Sequence, residues 1–404
     1  QENAEEFYDA RGITILPGLI DTQVHFREPG MENIEEIETG TKAAVLGGIT
    51  GVFEMPNTKP PTDSQKNLQV KIDIAEEKSW CNYAFYVGAT TNNIGELATL
   101  EKNNGCCGVK IFMGASTGNL LVPDDNNLEK ILSSVSRRVA VHCEDNERLE
   151  ERKSFRGGNP INHTIWRDEQ TAINATKRIL NIARKLNKKV HILHVTTSEE
   201  IELLKEYKDI ATVEVTPQHL TLSSPSCYEK LGTYAQMNPP IRGVDHQIAL
   251  IKAVQQGVVD IIGSDHAPHS KENKNKGYPN SPSGMPGVQT ILPVMLDHVS
   301  KGNCSIHTLV DLMCYSPCRI FGIVNKGRIA VGYDADLTLV DLKAKKIISD
   351  DWIASKCGWT PFHDYKVCGW PAATVINGKF VMKDNDLLSK PERKQFKFFE
   401  NQSI

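Results

Sequence analysis

Residues that commonly bind metal ions recur at the ends of short apolar segments of this chain. Five segments end with, contain or precede such a residue: His25, Lys110, His142, His194 and Asp265. Imidazole and carboxylate groups are ligands that suit zinc. A single histidine at the end of a strand is more often structural, but five candidates at five segments favour one shared metal site.

Lys110 differs from the other candidates because it lies inside the apolar segment Gly108–Met113. An unpaired ammonium group is costly to bury. Two interpretations stay open. The side chain either carries its charge out to solvent, or burial lowers its pKa so that it takes up CO₂ and becomes a carbamate. A carbamate is anionic and can bridge two metal ions as a carboxylate does.

Groups for proton transfer and substrate binding accompany these ligands. We expect Asp265, in the segment Ser264–His269, to act first as a general base and then as a general acid on a metal-activated water. Arg27 and Asn57 are candidates for holding a substrate carboxylate, because a guanidinium group can bind a carboxylate with two hydrogen bonds. Arg242 is either a further substrate-binding group or a structural ion-pair residue.

Eight apolar segments alternate with helical stretches and must position these side chains. The segments are Ile13–Phe26, Thr50–Met55, Tyr83–Val87, Gly108–Met113, Val139–Cys143, Val190–Val195, Ala211–Val215 and Val258–Ser264. The clearest helices are Ser64–Lys78 and Trp166–Leu186. The alternation predicts parallel β-α-β units, and eight of them predict a (β/α)₈ TIM-type barrel. In such barrels the active site lies at the C-terminal ends of the strands. The first segment is long for one strand and could be two.

The pattern changes after the eighth segment, where short strands alternate with Gly and Asp turns. The predicted strands are Gly327–Ile329, Asp336–Val340 and Ala373–Ile376, with Asn377-Gly378 as a hairpin signal. The chain therefore divides into three predicted parts: a catalytic barrel over 12–323, a small β-sandwich domain over 1–11 plus 324–390, and a polar, loosely packed tail over 391–404.

Composition excludes several classes of partner. The chain is 40% hydrophobic and 24% charged, with a net charge of −4, which gives no reason to expect nucleic acid or an acidic membrane as a partner. The acidic start, Gln1–Asp9, is unlike a signal peptide, and no segment approaches the roughly 18 apolar residues of a membrane span. Ten scattered cysteines without a C-x-x-C motif favour free thiols. We expect a cytoplasmic protein that acts on a small-molecule substrate.

Four motifs together resemble the amidohydrolase superfamily and, within it, the dihydroorotase family. They are Leu19–Gly30, Met55–Thr58, Met237–Arg242 and Ser264–His269, and the likeness runs from Leu16 to Asp341. The resemblance implies a zinc-dependent cyclic amidohydrolase. Its reaction would be the reversible cyclisation of N-carbamoyl-L-aspartate to L-dihydroorotate in pyrimidine biosynthesis.

The resemblance also implies residue roles. The matched metal ligands are His25, His142, His194 and Asp265, and Lys110 matches a lysine that is N6-carboxylated in many members. Asp265 also matches the catalytic base. The groups matching substrate-binding positions are Arg27, Asn57 and His269 for the carboxylate, and Asn238 with the Pro282–Gly287 loop for the ring. A homodimer and an association with aspartate carbamoyltransferase both stay open.

Two departures from the family pattern matter. The superfamily has His-x-His in its first strand, whereas this chain has Gln23-Val24-His25, so Gln23 is a weak or lost ligand. We therefore expect one tightly bound zinc ion and a second, weaker one. The family's N-terminal strands would precede this chain, so it is either truncated or a member that lacks them.

Two alternative functions are compatible with the same residues. An allantoinase or a dihydropyrimidinase-like enzyme is disfavoured by Arg27 with Asn57, because neither substrate ring carries a carboxylate. A catalytically silent homologue that serves as a structural subunit is supported by Gln23 alone. A scaffold would have no need of stoichiometric zinc.

Overall fold

The computed structural model describes residues 7–115 and 120–399. Within these ranges the strands, in chain order, are β1 (Thr14–Pro17), β2 (Leu19–Val24), β3 (Ile49–Glu54), β4 (Asn82–Gly88), β5 (Cys106–Phe112), β6 (Val139–His142), β7 (Val190–Ile192), β8 (Ala211–Val215), β9 (Ile261–Ile262), β10 (Leu337–Ile347), β11 (Lys366–Ile376), β12 (Lys379–Lys383) and β13 (Asp386–Leu387). No helix in the described ranges is long and apolar enough to cross a membrane.

The strands β2 to β9 form the predicted barrel. They are neighbours in chain order, and each adjacent pair is parallel. A bridge between Val24 and His266 brings the segment that follows β9 beside the end of β2, so the barrel is nearly closed. All residues of β3, β4 and β5 are buried, as expected for parallel strands covered on both faces. This arrangement directs the C-terminal ends of the strands to one mouth.

Helices surround the barrel. They are Ile37–Leu46, Gln65–Lys78, Leu97–Leu100, Asp125–Ser134, Asn146–Glu151, Asn162–Trp166, Glu169–Lys185, Ser198–Lys205, Pro217–Thr221, Ser226–Leu231, Val244–Gln255, Lys271–Lys274, Ile291–Ser300, Ile306–Val310 and Ser316–Phe321, with short 3₁₀ or π turns at Lys153–Phe155, Gly232–Ala235, Asp311–Tyr315 and Asp350–Trp352. The helix predicted over Trp166–Leu186 is confirmed over Glu169–Lys185, and Trp166 ends a separate short helix that precedes it. The break has a local cause, because Asp168 caps the second helix by accepting a hydrogen bond from the Thr171 amide.

The first apolar segment is two strands that lie in different sheets. β1 pairs antiparallel with β10, so residues 14–17 belong to the small sheet and not to the barrel, where the sequence pattern placed them. Gly18 separates β1 from β2. A Cβ at Gly18 would lie 2.4 Å from Thr50 Oγ1, so only glycine fits this close approach.

The small β domain consists, in the described residues, of one antiparallel sheet with the order β1-β10-β11-β12-β13. The predicted Asn377-Gly378 hairpin is confirmed, and both residues have the positive φ of a tight hairpin turn. The predicted strand Gly327–Ile329 is wrong. Lys326 forms ion pairs with Asp334 and Asp336, and these fold the segment into an irregular loop.

The C-terminal segment is packed more tightly than predicted. Gln395 bridges to Tyr83 near the start of β4, and Phe396 is only 2% exposed. The ring of Phe53 contacts both Phe396 and Phe398, with centroids 5.3 and 5.9 Å away. This segment therefore covers the barrel near the N-terminal ends of its strands. The last predicted tail residues, 400–404, lie outside the described ranges. All ten cysteines are free, as predicted.

Candidate active site

Most of the predicted site residues meet in one cavity at the C-terminal ends of the barrel strands. Those that line it are Gln23, His25, Arg27, Asn57, Lys110, His142, His194, Asn238 and Asp265. Arg27, His194 and Asp265 have φ values of 65°, 38° and 44°, which non-glycine residues adopt at a cost of about 1–3 kcal/mol each. The fold thus holds three of these residues in strained positions that turn side chains into the cavity.

His142 and His194 form the first pair of potential ligands. Nδ1 of His142 lies 3.0 Å from Nε2 of His194, and both side chains are 2% exposed. Nε2 of His142 lies 2.9 Å from a carboxylate oxygen of Glu144, which can only accept a hydrogen bond. The ring proton is therefore on Nε2, and this N–H group donates the hydrogen bond. This fixes the tautomer in which the Nδ1 lone pair points toward His194. Such a carboxylate–histidine contact is common behind metal ligands.

Glu144 and its partner Arg167 also belong to this site, although neither was predicted from the sequence. Burial alone would raise the pKa of Glu144, but Arg167 and His142 outweigh it and bring the pKa to about 2. Glu144 is therefore an anion held between a guanidinium group and a candidate ligand. The available signal was the spacing His142-Cys143-Glu144, which places both side chains on one side of the strand end.

His25 and Asp265 form the second pair. Nδ1 of His25 donates to Oδ1 of Asn57 over 2.6 Å, so its Nε2 has a lone pair. That lone pair faces Oδ1 of Asp265 at 3.2 Å. Burial lowers the pKa of His25 to about 4, which keeps the ring neutral. Two acceptors that face each other in this way are complementary to a cation. Nε2 of Gln23 donates to the same Asp265 oxygen over 3.0 Å.

Lys110 lies inside the cavity wall. It is 1% exposed, and its Nζ lies 4.6 Å from the centroid of the Phe112 ring. The interpretation in which Lys110 extends to solvent is therefore wrong. Burial lowers the pKa of Lys110 to about 7, so a large fraction of the amine is neutral at pH 7, the form in which an amine can react with CO₂.

The two pairs of candidate ligands can hold a divalent cation only if Lys110 or Gln23 provides a further ligand atom. Among residues 7–115 and 120–399, no three His, Cys, Asp or Glu side chains come close enough to hold a metal ion by themselves. They come instead as the two pairs described above, and Lys110 and Gln23 line the same cavity. Two imidazoles with a carbamate form a donor set that fits zinc.

Arg27 is a buried cation without an anionic hydrogen-bond partner. It is 2% exposed, and its Nε and Nη1 have no hydrogen-bond partner in the described residues. Burial lowers the pKa of Arg27 to about 10, so the group stays charged at neutral pH. A buried, unsatisfied guanidinium is costly, and an anion that entered the cavity would remove this cost.

Two other candidates have structural contacts. His269 lies behind the cavity wall, where its Nε2 donates to the Ser283 carbonyl over 3.0 Å. Arg242 donates hydrogen bonds to the backbone carbonyls of Arg167 and Asp168 and to the hydroxyl of Thr196. These contacts are structural, and none of them is an ion pair.

A parallel barrel with metal-ligand side chains at the C-terminal ends of its strands is typical of metal-dependent hydrolases, and the comparison with protein families agrees with this class. The model of the amidohydrolase family covers residues 14–381, and the chain belongs to this family. The most similar relatives include the dihydroorotases of Methanosarcina mazei and Pyrococcus furiosus, which are 35% and 37% identical. These alignments cover 96% and 94% of this chain and 88% and 84% of the relatives. Among solved structures, the L-hydantoinase of Arthrobacter aurescens superimposes with a TM-score of 0.94 at 27% identity, covering 98% of this chain and 91% of that one.

Proposed function

We propose that this chain is a dihydroorotase, which interconverts N-carbamoyl-L-aspartate and L-dihydroorotate. The observation that carries the proposal is Arg27, a buried guanidinium group with two unsatisfied donor atoms in a cavity lined by candidate metal ligands. Dihydroorotate has a cyclic amide for the ligand-lined region and a carboxylate for Arg27. The similarity of this chain to known dihydroorotases supports the same substrate.

Asn57 lines the same cavity as Arg27, and its Oδ1 accepts a hydrogen bond from His25. We assign it a second contact with the substrate carboxylate because it also matches a carboxylate-binding position of the family. The role that the family resemblance implies for His269 receives no support from its geometry, because its ring N–H is directed to Ser283.

We further propose zinc as the metal ion. His142, His194 and an N6-carboxylated Lys110 would hold the first ion, and Asp265, His25 and the carboxylated lysine would hold a weaker second one with Gln23. Bound zinc supplies Lewis acidity, which polarises a carbonyl group and lowers the pKa of a water molecule. The unsatisfied Oε1 of Gln23 is a neutral and therefore poorer ligand than imidazole.

Asp265 would transfer the proton. In the hydrolytic direction its carboxylate accepts a proton from the attacking water and returns it to the ring nitrogen as the amide bond breaks. In the cyclisation direction Asp265 enters protonated and the same steps run in reverse. Contacts with Gln23 and His25 hold its Oδ1 in place for both directions.

A hydantoinase or dihydropyrimidinase activity is the main alternative, since the fold matches an L-hydantoinase so closely. Those rings carry no carboxylate, and Arg27 would stay unsatisfied when they bind. A silent structural subunit is a weaker alternative, because the tautomers of His142 and His25 are both arranged for a cation.

The deciding experiment is a substrate panel. The purified chain is assayed with dihydroorotate, carbamoyl-aspartate, dihydrouracil, hydantoin and allantoin, while its zinc content is measured. Turnover confined to the first two compounds supports the proposal. Turnover of dihydrouracil or hydantoin at comparable rates contradicts it, and a zinc-free chain that is inactive on all five supports the structural subunit. A homodimer and an association with aspartate carbamoyltransferase stay proposals, which light scattering of the chain alone and of the mixture would test.

A further inference from the structure

His163 is a buried histidine that touches the substrate cavity only through other residues. It lies in the helix Asn162–Trp166 and is 1% exposed. Its Nε2 lies 3.0 Å from the Met237 carbonyl oxygen and 3.0 Å from Oδ1 of Asn238. It also lies 3.4 Å from the Ser283 hydroxyl. Asn238 and Ser283 both line the cavity, so His163 holds two parts of its wall.

The proton of His163 has only one position that fits these contacts. Burial and the nearby Arg167 lower the pKa of His163 to about 3, so the ring is neutral and has a single N–H. The Met237 carbonyl oxygen can only accept a hydrogen bond, so this N–H is on Nε2. Nδ1 then has a lone pair, and it has no hydrogen-bond partner in the described part of the chain.

The position of this proton decides which end of the Asn238 amide faces the cavity. An N–H group on His163 requires an oxygen opposite it, because two donors at 3.0 Å would repel each other. We propose that His163 is a positioning residue that turns the Oδ1 atom of Asn238 toward itself and thereby presents the amide NH₂ to the substrate ring. The inference rests on the proposed function for the identity of that ring.

The ring atom that this NH₂ group would recognise follows from the chemistry of dihydroorotate. The carboxylate is assigned to Arg27, and the C4 carbonyl is the reacting group. The C2 carbonyl oxygen is the remaining acceptor, so the Asn238 amide would donate to it. A ring with an N–H group at this place would meet a donor and bind poorly. His163 would thus set part of the substrate specificity without touching the substrate.

The test compares two ligands that differ in this one acceptor. Orotate has oxygen at C2, and 2-thioorotate has sulfur, which accepts hydrogen bonds weakly. Isothermal titration with the full-length wild-type chain should give about two- to tenfold tighter binding of orotate. His163→Phe retains the ring between Trp166 and Tyr278 but has no N–H, and the preference should disappear. His163→Gln retains a donor of similar reach and should retain the preference.

A second variant covers the case in which His163→Phe does not fold. Asn238→Asp has nearly the same shape and can accept from His163, but it has no NH₂ group, so it should also lose the preference. An unchanged preference in either His163→Phe or Asn238→Asp overturns the inference. If the wild-type chain turns over dihydroorotate but binds orotate no more tightly than 2-thioorotate, this inference alone is overturned. A wild-type chain that neither turns over dihydroorotate nor binds orotate overturns the proposed function and this inference with it.

Discussion

Glu144 lies 2.9 Å from Nε2 of His142, and this single contact turns Nδ1 of the imidazole toward His194. The carboxylate is completely buried and is also paired with Arg167. The orientation of a potential ligand therefore depends on a residue that lines no part of the cavity. Carboxylates of this kind raise the basicity of the histidine as well as fixing its tautomer.

Glu144→Gln should weaken zinc binding by about 10- to 100-fold, because a neutral amide both loses the charge and permits the other tautomer of His142. Competition with a chelating dye measures the affinity. Glu101→Gln is a suitable control, since Glu101 is a buried carboxylate that binds the Ser136 amide far from the cavity. Equal zinc affinity in Glu144→Gln and the control would remove Glu144 from the metal site.

Arg27→Ala should raise KM for dihydroorotate about tenfold or more while zinc content is unchanged. A charge-assisted contact to a carboxylate in a closed site contributes about 1.5–3 kcal/mol. Arg27→Lys keeps the charge but loses the paired donors, so its KM should be intermediate. Steady-state kinetics of the three proteins, with metal analysis alongside, measures the effect. A wild-type KM in Arg27→Ala would show that another group binds the carboxylate.

The position of the candidate ligands at the ends of the barrel strands was predictable from the sequence, because each ligand lies in or within three residues of an apolar segment. Parallel strands in a barrel direct those ends to one mouth, so convergence follows from the fold class alone. That is why eight of the predicted residues line one cavity, whereas Asn238, the ninth, lies in a loop and was expected there only from the family resemblance.

Contacts between distant loops were not predictable in this way. His163 meets Met237 across 74 residues, and nothing local in either segment indicates this pairing. The C-terminal segment is polar in composition, but Phe396 fills the space that Gly51 leaves, where a Cβ would lie 2.2 Å from its ring. A one-residue packing match of this kind has no periodicity to detect. β1 was misplaced for a related reason, since the change from one sheet to the other at Gly18 depends on a steric close approach and not on an apolar pattern.

Lys274 provides a pH-dependent prediction. It is completely buried, donates to the carbonyls of Gln236, Pro282 and Gly284, and burial lowers its pKa to about 7. Below pH 7 both the folded and the unfolded chain are protonated at this site, and the cost of burying the charge is fully present. Between pH 7 and the unfolded pKa near 10.5, the folded chain binds fewer protons, so stability should rise with pH by up to about 1.4 kcal/mol per unit.

The measurement compares wild type with Lys274→Met, which removes the titrating group. The difference in Tm between the two proteins should shift in favour of wild type from pH 7 to pH 9.5. Lys271→Met is the control, because Lys271 is an exposed neighbour. A Tm difference that is constant over this range would mean that Lys274 does not titrate there.

Lys110→Ala should lose both zinc and activity if the carbamate is a ligand. Short-chain carboxylic acids should restore part of both, because a small carboxylate can occupy the space of the carbamate. Zinc stoichiometry and intact mass under native conditions, with and without bicarbonate, give a readout apart from turnover. A zinc-loaded wild-type chain without the added mass of CO₂ would contradict the assignment. Metal-free protein is unsuitable for this measurement, since metal loss destabilises the carbamate.

Gln23 should make the second zinc ion weak. Its amide donates to the Asp265 oxygen that a metal ion would need, and its own Oε1 is a neutral ligand. We expect fewer than two tightly bound zinc ions per chain and activity that rises when zinc is added. Gln23→His replaces the amide with the imidazole of the family motif and should raise the occupancy of the second site. Elemental analysis of both proteins after dialysis against a weak chelator measures this. If wild type keeps two zinc ions as firmly as Gln23→His, then Gln23 is either a competent ligand or irrelevant to the site.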